Sequence, residues 1–168
     1  MITLAEYINN PCGTLSIPYW KAKNIVIPPD MKILHDNDFN TEIFSDYIDE
    51  KYFRLYHNLK EIPKVITNDF EITTATRKDI KSIVQIINDS YTDISVNKEL
   101  ILEWIQVLPR YRGKKIGQLT VTELLFRMID VADFATVSGK VDNMTNPEAL
   151  YRKCGFAGDD VWHILHKK

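Results

Sequence analysis

The clearest helical pattern in the chain lies between residues 118 and 129. Apolar side chains recur there at intervals of three and four, at Leu119, Val121, Leu124, Leu125, Met128 and Ile129. This spacing predicts an amphipathic helix. The preceding segment Glu103–Leu108 mixes apolar and β-favouring residues and stops at Pro109, which predicts a strand. The chain is therefore expected to pass from a strand through a sharp turn into a helix.

Regular elements are also predicted on both sides of this unit. Downstream, Phe134–Val141 has the composition of a strand, Pro147–Lys153 that of a short helix ended by Gly155, and Val161–Leu165 that of a closing strand. Upstream, Glu71–Ala75 is rich in β-branched residues and predicts a strand. A capped amphipathic helix is predicted to follow it, from Thr76 to Tyr91.

The first 68 residues predict an α+β extension. Thr3 and Glu6 form a capping-box pattern, so a short helix should end at Asn10. Short strands are predicted at Thr14–Tyr19, Ile25–Ile27 and Met31–Leu34. Thr41–Leu59 carries a broad apolar and aromatic face, which predicts a longer helix. We interpret its aromatic side chains as packing this segment onto the rest of the chain; the alternative is that some line an acceptor pocket.

Composition and charge narrow the class of protein. The chain has 168 residues and a formal net charge of −2, which argues against a nucleic-acid-binding protein. It contains neither an apolar run long enough to span a membrane nor a signal-peptide pattern. Cys12 and Cys154 are the only cysteines, so a cytoplasmic protein with reduced thiols is expected. The four histidines are scattered, and no metal site is predicted.

The turn before the predicted helix carries the candidate chemistry. It contains Arg110, Arg112, Lys114 and Lys115 around Gly113 and Gly117. Glycine lets a ligand approach the backbone closely, and the first amides of a helix have no partner within the helix. The turn therefore predicts a phosphate or pyrophosphate site. The alternative is an ordinary solvated basic loop.

A second segment, Asn146–Phe156, strengthens the first interpretation. Together the two segments resemble the GNAT superfamily of N-acetyltransferases over about residues 70–168. The matching positions of its acetyl-CoA pyrophosphate loop are Val107, Pro109, Tyr111, Arg112, Gly113, Lys114, Ile116 and Gly117. Those of its second signature are Asn146, Leu150, Tyr151, Lys153, Gly155 and Phe156.

The resemblance implies an α/β fold, a GNAT-like mixed sheet flanked by helices. Residues 69–168 would form the acetyl-CoA-binding domain, and the extension 1–68 is a candidate contributor to an acceptor pocket or a dimer. The strand Phe134–Val141 would run parallel to the central strand and splay from it. Acetyl-CoA would be the co-substrate and a small-molecule or peptide amine the acceptor. The implied cofactor-binding residues are Val107, Arg110, Arg112, Gly113, Lys114, Lys115, Ile116, Gly117 and Asn146. Asn146 is equally suited to be a helix N-cap.

The sequence departs from the family pattern between Tyr91 and Ile101. The family fold places a β-hairpin there, and this span is too short for one, so a bare edge on the central strand is predicted. The N-terminal strands or another subunit in a homodimer would cover it. The explanation we favour is a missing segment near Val96–Asn97, which predicts a break or a long link there. Lys115 also stands where the family has glycine or alanine, which predicts weaker cofactor binding.

The implied reaction is direct acetyl transfer to a primary amine. Glu103 is the candidate base, a backbone N–H near Val107 the candidate oxyanion donor, and Tyr151 the acid that the resemblance implies. The alternatives are that Glu103 is a solvated strand carboxylate and Tyr151 a core aromatic. Cys154 is interpreted as buried packing. The competing functions are a catalytically silent acyl-CoA-binding or sensing module and a purely structural interaction protein, which leaves the basic turn without a purpose.

Overall fold

The computed structural model describes residues 2–66, 78, 92–94, 98–103, 105 and 107–168. Three predictions lie outside these residues. They are the strand at Glu71–Ala75, the helix from Thr76 to Tyr91, and the break at Val96–Asn97.

Helices and strands alternate irregularly along the described chain. The helices are α1 (Leu4–Asn9), α2 (Tyr19–Asn24), α3 (Ile116–Met128) and α4 (Pro147–Lys153). The strands are β1 (Met31–His35), β2 (Tyr47–His57), β3 (Thr92–Ile94), β4 (Glu99–Leu102), β5 (Phe134–Lys140) and β6 (Ala157–Lys167).

The strands of the described residues form one six-stranded sheet in the order β1-β6-β2-β5-β4-β3. Only β4 and β5 run parallel, and the other neighbouring pairs are antiparallel. Residues on both sides of the boundary predicted near residue 68 contribute strands to this sheet, because β1 and β2 flank β6. The sheet is therefore mixed, with helices packed on it, as an α/β fold requires.

The two faces of the sheet differ in chemistry. One face, which we call the helical face, carries Phe53, Leu55, Leu100, Leu102, Ala135 and Val137, and α3 and α4 pack on it through Val121, Leu125, Tyr151 and Cys154. The opposite face, which we call the N-terminal face, carries Arg54, Glu99, Thr136 and Ser138, which bond to one another and to the segment around α1. Alternation along each strand produces this division.

Several predicted elements are confirmed. Thr3 and Glu6 form the capping box, with Glu6 Oε2 accepting from the Thr3 N–H at 2.8 Å. The strands β1 and β5 and the helices α3 and α4 appear within a few residues of their predicted bounds. Beyond α4, Gly155 has a φ of +94°, and the Gly155 and Phe156 amides bond back to the carbonyls of Arg152 and Tyr151. Gly155 thus ends the helix, as predicted.

The helix predicted at Thr41–Leu59 is wrong, because residues 47–57 form β2. Phe53, Arg54 and Leu55 are successive residues, and each is at most 2% exposed. Both faces of this half of the strand are covered, so the alternation that signals a strand is lost. The aromatic side chains, which mimicked a helical stripe, belong to a residue class that strands favour.

The strands predicted at Thr14–Tyr19 and Ile25–Ile27 are also wrong. Tyr19 begins α2, and its predecessor Pro18 is the N-cap. Residues 25–27 form no strand and are exposed. Apolar and β-branched composition alone does not make a strand, because a strand needs a neighbour to pair with.

The central strand lies earlier than predicted. It is β4, Glu99–Leu102, and none of the described residues of the predicted strand Glu103–Leu108 belongs to a strand. The strand begins with Glu99, which is 0% exposed. A charged residue is not expected at a buried strand position, so the sequence pattern did not indicate this start. The bare edge is wrong as well, because β3 pairs with β4 from Thr92–Leu102 to Ile94–Leu100. Three residues of this chain therefore cover that edge.

Candidate functional site

The basic turn is an exposed structure between β4 and α3. Pro109–Tyr111 make one turn of 3-10 helix, and every residue from 108 to 115 is exposed. Arg110 lies over the Tyr111 ring, with its guanidinium carbon 4.9 Å from the ring centre. No carboxylate of the described chain pairs with the four basic side chains of the turn, Arg110, Arg112, Lys114 and Lys115. Their positive charge is therefore presented to solvent.

The backbone of the turn is bent by two left-handed residues. Gly113 has a φ of +76° and Lys115 a φ of +59°. A Cβ on Gly113 would meet nothing within 4 Å, so glycine serves the backbone conformation there, not packing. Arg112 Nε donates to the Val107 carbonyl at 3.0 Å, which folds the turn back onto its own start.

The N-terminal end of α3, next to the turn, has backbone N–H groups that can donate hydrogen bonds. Its first intrahelical bond runs from the Leu119 N–H to the Lys115 carbonyl at 2.9 Å. No residue in the described part of the chain accepts a bond from the backbone N–H groups between Gly113 and Gln118. These donors and the neighbouring cations together suit a phosphate group.

The two sequence motifs are neighbours in space. A Cβ on Gly117 would stand 3.2 Å from Leu150 Cδ2 and 3.4 Å from Val107 Cγ2, so glycine allows α3 to approach α4 and the chain leaving β4. Gln118 Nε2 also donates to the Lys153 carbonyl at 3.2 Å. Ile116 is the first residue of α3 in this contact region. The start of α3 is thus fixed against the second motif.

Asn146 is the N-cap of α4. Its side-chain oxygen accepts from the Ala149 N–H at 3.3 Å, and its φ is +45°. The structure therefore shows the capping role that the sequence offered as one of two interpretations. Its contact with a cofactor stays a prediction.

An opening in the sheet hydrogen bonding lies beside these motifs. The parallel pairing of β4 with β5 ends at Leu102–Val137. β5 continues to Lys140, paired on its other side with β2, while the chain leaves β4 at Glu103. Within the described residues, the last residues of β5 consequently have no partner on β4, in the place where the resemblance predicts a splay. Val107 lies outside any strand, so its N–H is not part of the sheet.

Tyr151 lies on the helical face beside this opening. It is 5% exposed and packs between Phe53 and Phe156, with ring centres 6.4 and 5.7 Å away. Burial raises the pKa of Tyr151 to about 12. Within the described chain its hydroxyl has no hydrogen-bond partner, so the donor is free for a ligand. Cys154 next to it is fully buried, and burial raises the pKa of its thiol to about 12. This agrees with a packing role for Cys154.

Glu103, the candidate base, forms an ion pair with Lys21 of α2. The carboxylate is 23% exposed and the lysine side chain 36% exposed. Sequence reasoning missed Lys21, because 82 residues separate the two and no local pattern joins them. Glu103 thus contacts the N-terminal segment, whereas Tyr151 packs on the helical face, and the two candidates do not touch each other.

A buried polar cluster on the N-terminal face has no counterpart in the sequence-based predictions. Arg54 and Glu99 are 1% and 0% exposed, with Arg54 Nη2 3.5 Å from Glu99 Oε1. Tyr7 OH donates to the same carboxylate oxygen at 2.8 Å, and Thr136 Oγ1 donates at 2.5 Å. Arg54 Nε donates to the Pro11 carbonyl at 2.8 Å. The cluster ties the N-terminal segment to β4 and β5.

The described residues carry neither of two further classes of site. No group of three or more histidine, cysteine or acidic side chains is arranged there to hold a metal ion. None of the helices described has the length and apolar character needed to cross a membrane.

The fold is that of GNAT acetyltransferases. A structure from Novosphingobium aromaticivorans, described as an acetyltransferase of the GNAT family, is 11% identical with a TM-score of 0.52; the match covers 86% of this chain and 70% of that one. The GCN5-related N-acetyltransferase from Sphaerobacter thermophilus is 11% identical with a TM-score of 0.60, over 83% of this chain and 61% of that one. No family model and no curated protein matches the chain. The match is one of fold, and this chain spans less than two thirds of the second structure.

Proposed function

We propose that this chain with a GNAT-like fold is an N-acetyltransferase, which moves an acetyl group from acetyl-CoA directly to a primary amine. One observation carries the proposal. The exposed basic turn, whose backbone N–H groups have no acceptor among the residues that the structure describes, begins a helix whose Gly117 packs against Leu150 of the second motif. A phosphate site is thereby held next to the end of the parallel strand pair. Ligands of open α/β sheets bind at such ends.

The basic turn would hold the pyrophosphate of acetyl-CoA. Arg110, Arg112, Lys114 and Lys115 supply charge, and the amides from Gly113 to Gly117 supply directed donors. The opening between β4 and β5 would take the pantetheine arm. Lys115 keeps its Cβ close to the backbone donors, so phosphate approach is less close than a glycine would allow.

The acyl transfer needs a base, an oxyanion donor and a donor to the leaving thiolate. Glu103 would remove a proton from the acceptor ammonium, because only the neutral amine attacks the thioester carbonyl. The Val107 N–H would donate to the oxygen on which charge develops. Tyr151, with a pKa of about 12, keeps its proton at neutral pH and would donate a hydrogen bond to the thiolate. Glu103 would act on the amine from the N-terminal face, and Tyr151 on the leaving sulfur from the helical face.

A catalytically silent acyl-CoA-binding module is the second candidate. The ion pair between Lys21 and Glu103 favours it, because a carboxylate already bound to an ammonium is a poor base for another amine. Lys115 also favours weaker binding. Under either function, a small-molecule or peptide ligand and a homodimer remain proposals, and neither nucleic acid nor a membrane is proposed as a partner.

Calorimetry and turnover together test the proposal. Acetyl-CoA should bind more tightly than S-acetylpantetheine, which lacks the pyrophosphate, and only acetyl-CoA should lose affinity as salt rises. Release of free CoA should be measured with a panel of primary amines. Release that falls in Glu103→Gln supports the enzyme. Salt-sensitive binding without release on any amine supports the silent module, and equal affinity for the two thioesters contradicts both.

A further inference from the structure

We propose that Lys21 is an acceptor of this acetyl transfer, so that the chain acetylates its own α2 helix. The inference rests on the proposed function and names an acceptor for the same site. Its basis is the pairing of Lys21 Nζ with Glu103 Oε1, which puts a primary amine of this chain on the carboxylate proposed as the base.

The ion pair has the arrangement that a general base and its substrate need. A base must lie within hydrogen-bond reach of the proton that it removes. Among the ion pairs of the described residues, the one with Lys21 is the only pair that Glu103 makes. Lys21 thus occupies the place where the ammonium of any acceptor would have to lie.

Lys21 lies on a short helix, which suits a side chain that must enter the site and leave it again. α2 has six residues, and its N-cap Pro18 makes no side-chain capping bond. Residues 25–27, which follow it, belong to no strand of the described sheet, and Val26 is 88% exposed. A helix this short is marginal by itself, so contacts such as the ion pair contribute to its position.

The reaction balances without any other reagent. Glu103 takes one proton from the Lys21 ammonium, and the nitrogen lone pair attacks the acetyl carbonyl carbon of acetyl-CoA. The tetrahedral intermediate collapses with cleavage of the carbon–sulfur bond. The thiolate leaves as CoA and is protonated, and the second proton of the nitrogen is lost to solvent. The products are an acetyl-lysine amide and free CoA.

Acetylation would remove the ion pair that holds Lys21. An amide carries no charge, so Glu103 would lose its cationic partner and become available to another amine. Because an amide nitrogen is not a nucleophile, Lys21 itself can accept only one acetyl group. The ion pair between Lys21 and Glu103, which by itself favours a silent module, would then exist only before this first acetylation. Turnover on an external acceptor would follow it.

Labelled acetyl-CoA tests this inference on the full chain. The purified protein is incubated with acetyl-CoA that carries a deuterated acetyl group, and the label is located by peptide mass spectrometry. We expect one label per chain at Lys21, formed at a rate that does not depend on protein concentration. Lys23 lies in the same helix, is more exposed and serves as the matched control.

Variants separate catalysis from chemical acetylation. Lys21→Arg keeps a cation beside Glu103 but should lose the label, whereas Lys23→Arg should keep it. Glu103→Gln should slow labelling of Lys21 by about 10²-fold, the usual contribution of a general base. Equal labelling of Lys21 and Lys23 that Glu103→Gln does not change would overturn the inference.

The amine panel distinguishes its failure from that of the proposed function. CoA release on an external amine without label at Lys21 refutes self-acetylation and leaves the N-acetyltransferase standing. Loss of both acetyl-CoA binding and release refutes the two together.

Discussion

The Phe53 ring lies directly over Gly139. A Cβ on Gly139 would stand 2.5 Å from Phe53 Cζ and 2.8 Å from Cε1. The two residues are paired across β2 and β5, and the centre of the Phe53 ring also lies 6.4 Å from that of Tyr151. The absent side chain at residue 139 therefore sets the position of a ring that supports the candidate acid.

Gly139→Ala should destabilise the fold by about 1–3 kcal/mol, because the added methyl group overpacks the contact with Phe53. Chemical denaturation measures the change. In the Phe53→Leu background the same substitution should cost less, because the clashing ring atoms are gone. Additive effects in the double variant would contradict this account.

Tyr151→Phe should lower kcat and leave acetyl-CoA affinity unchanged. A hydrogen bond to a charged group contributes about 1.5–3 kcal/mol, which corresponds to a loss of about 10- to 150-fold. The free energy of unfolding should change little, since the hydroxyl has no partner in the described chain. Steady-state kinetics and calorimetry measure the two effects. Tyr56→Phe, on β2, is the control and should keep full kcat; an unchanged kcat in Tyr151→Phe would remove Tyr151 from the mechanism.

Removing one member of the buried Arg54–Glu99 pair should strongly lower the free energy of unfolding. Arg54→Met leaves the Glu99 carboxylate without its cation at 0% exposure, and we expect a loss of about 3–5 kcal/mol in unfolding free energy. The double variant Arg54→Met/Glu99→Gln should lose less than the sum of the single variants. Lys140→Met, which breaks an exposed pair with Glu50, should cost under about 1 kcal/mol. Equal losses in the buried and exposed pairs would show that the cluster does not stabilise the fold.

Asp36 should give the stability a pH dependence in acid. Its carboxylate accepts from His163 Nε2 at 2.9 Å, and this hydrogen bond lowers the pKa of Asp36. The contribution is therefore present above the unfolded value of 3.8 and is lost as the pH falls through the lower folded value. The Tm difference between wild type and Asp36→Asn should shrink between about pH 5 and pH 2. Asp38→Asn, in the same turn, is the control. A Tm difference that stays constant over this range would contradict the assignment.

Lys115→Gly should affect acetyl-CoA binding in two opposing ways. It removes a Cβ from a residue with a φ of +59°, which favours closer phosphate approach, and it removes a positive charge. Since salt screens the charge, Lys115→Gly should gain affinity relative to wild type as salt rises. Lys115→Asn, which keeps a Cβ and tolerates this conformation, isolates the charge. Equal affinities of the glycine and asparagine variants at all salt concentrations would show that the Cβ has no effect.

The sequence predicted best the elements whose signals are local. The α4 helix was bounded correctly because Pro147 at its start and Gly155 after its end are direct consequences of backbone geometry. The capping box at Thr3 is another local signal. The basic turn was located because glycine and charge stand together in a short segment, and the resemblance to GNAT proteins was confirmed at the level of fold.

Elements defined by their neighbours were predicted poorly. β2 is buried on both faces at Phe53 and Arg54, and the partners that allow an arginine to be buried there, the Pro11 carbonyl and Glu99, are distant in sequence. β4 begins with Glu99, a residue that is buried only when its hydrogen-bond partners surround it. The pair Lys21–Glu103 follows the same rule, since tertiary contacts alone join residues so far apart. The burial of these residues depends on partners that are distant in sequence, and a short stretch of sequence does not contain that information.

The strand order has a consequence for folding of the chain during its synthesis on the ribosome. Among the described strands, β6 is made after all the others, yet it lies between β1 and β2, and Asp160 of β6 bonds to His35 across 125 residues of chain. Until β6 emerges, the sheet-forming edges of both earlier strands are open to other chains. β1 and β2 therefore cannot complete their pairing until β6 has been made, and pairing between strands so distant in sequence is slow. A nascent chain of this design is most vulnerable to aggregation just before its synthesis passes β6.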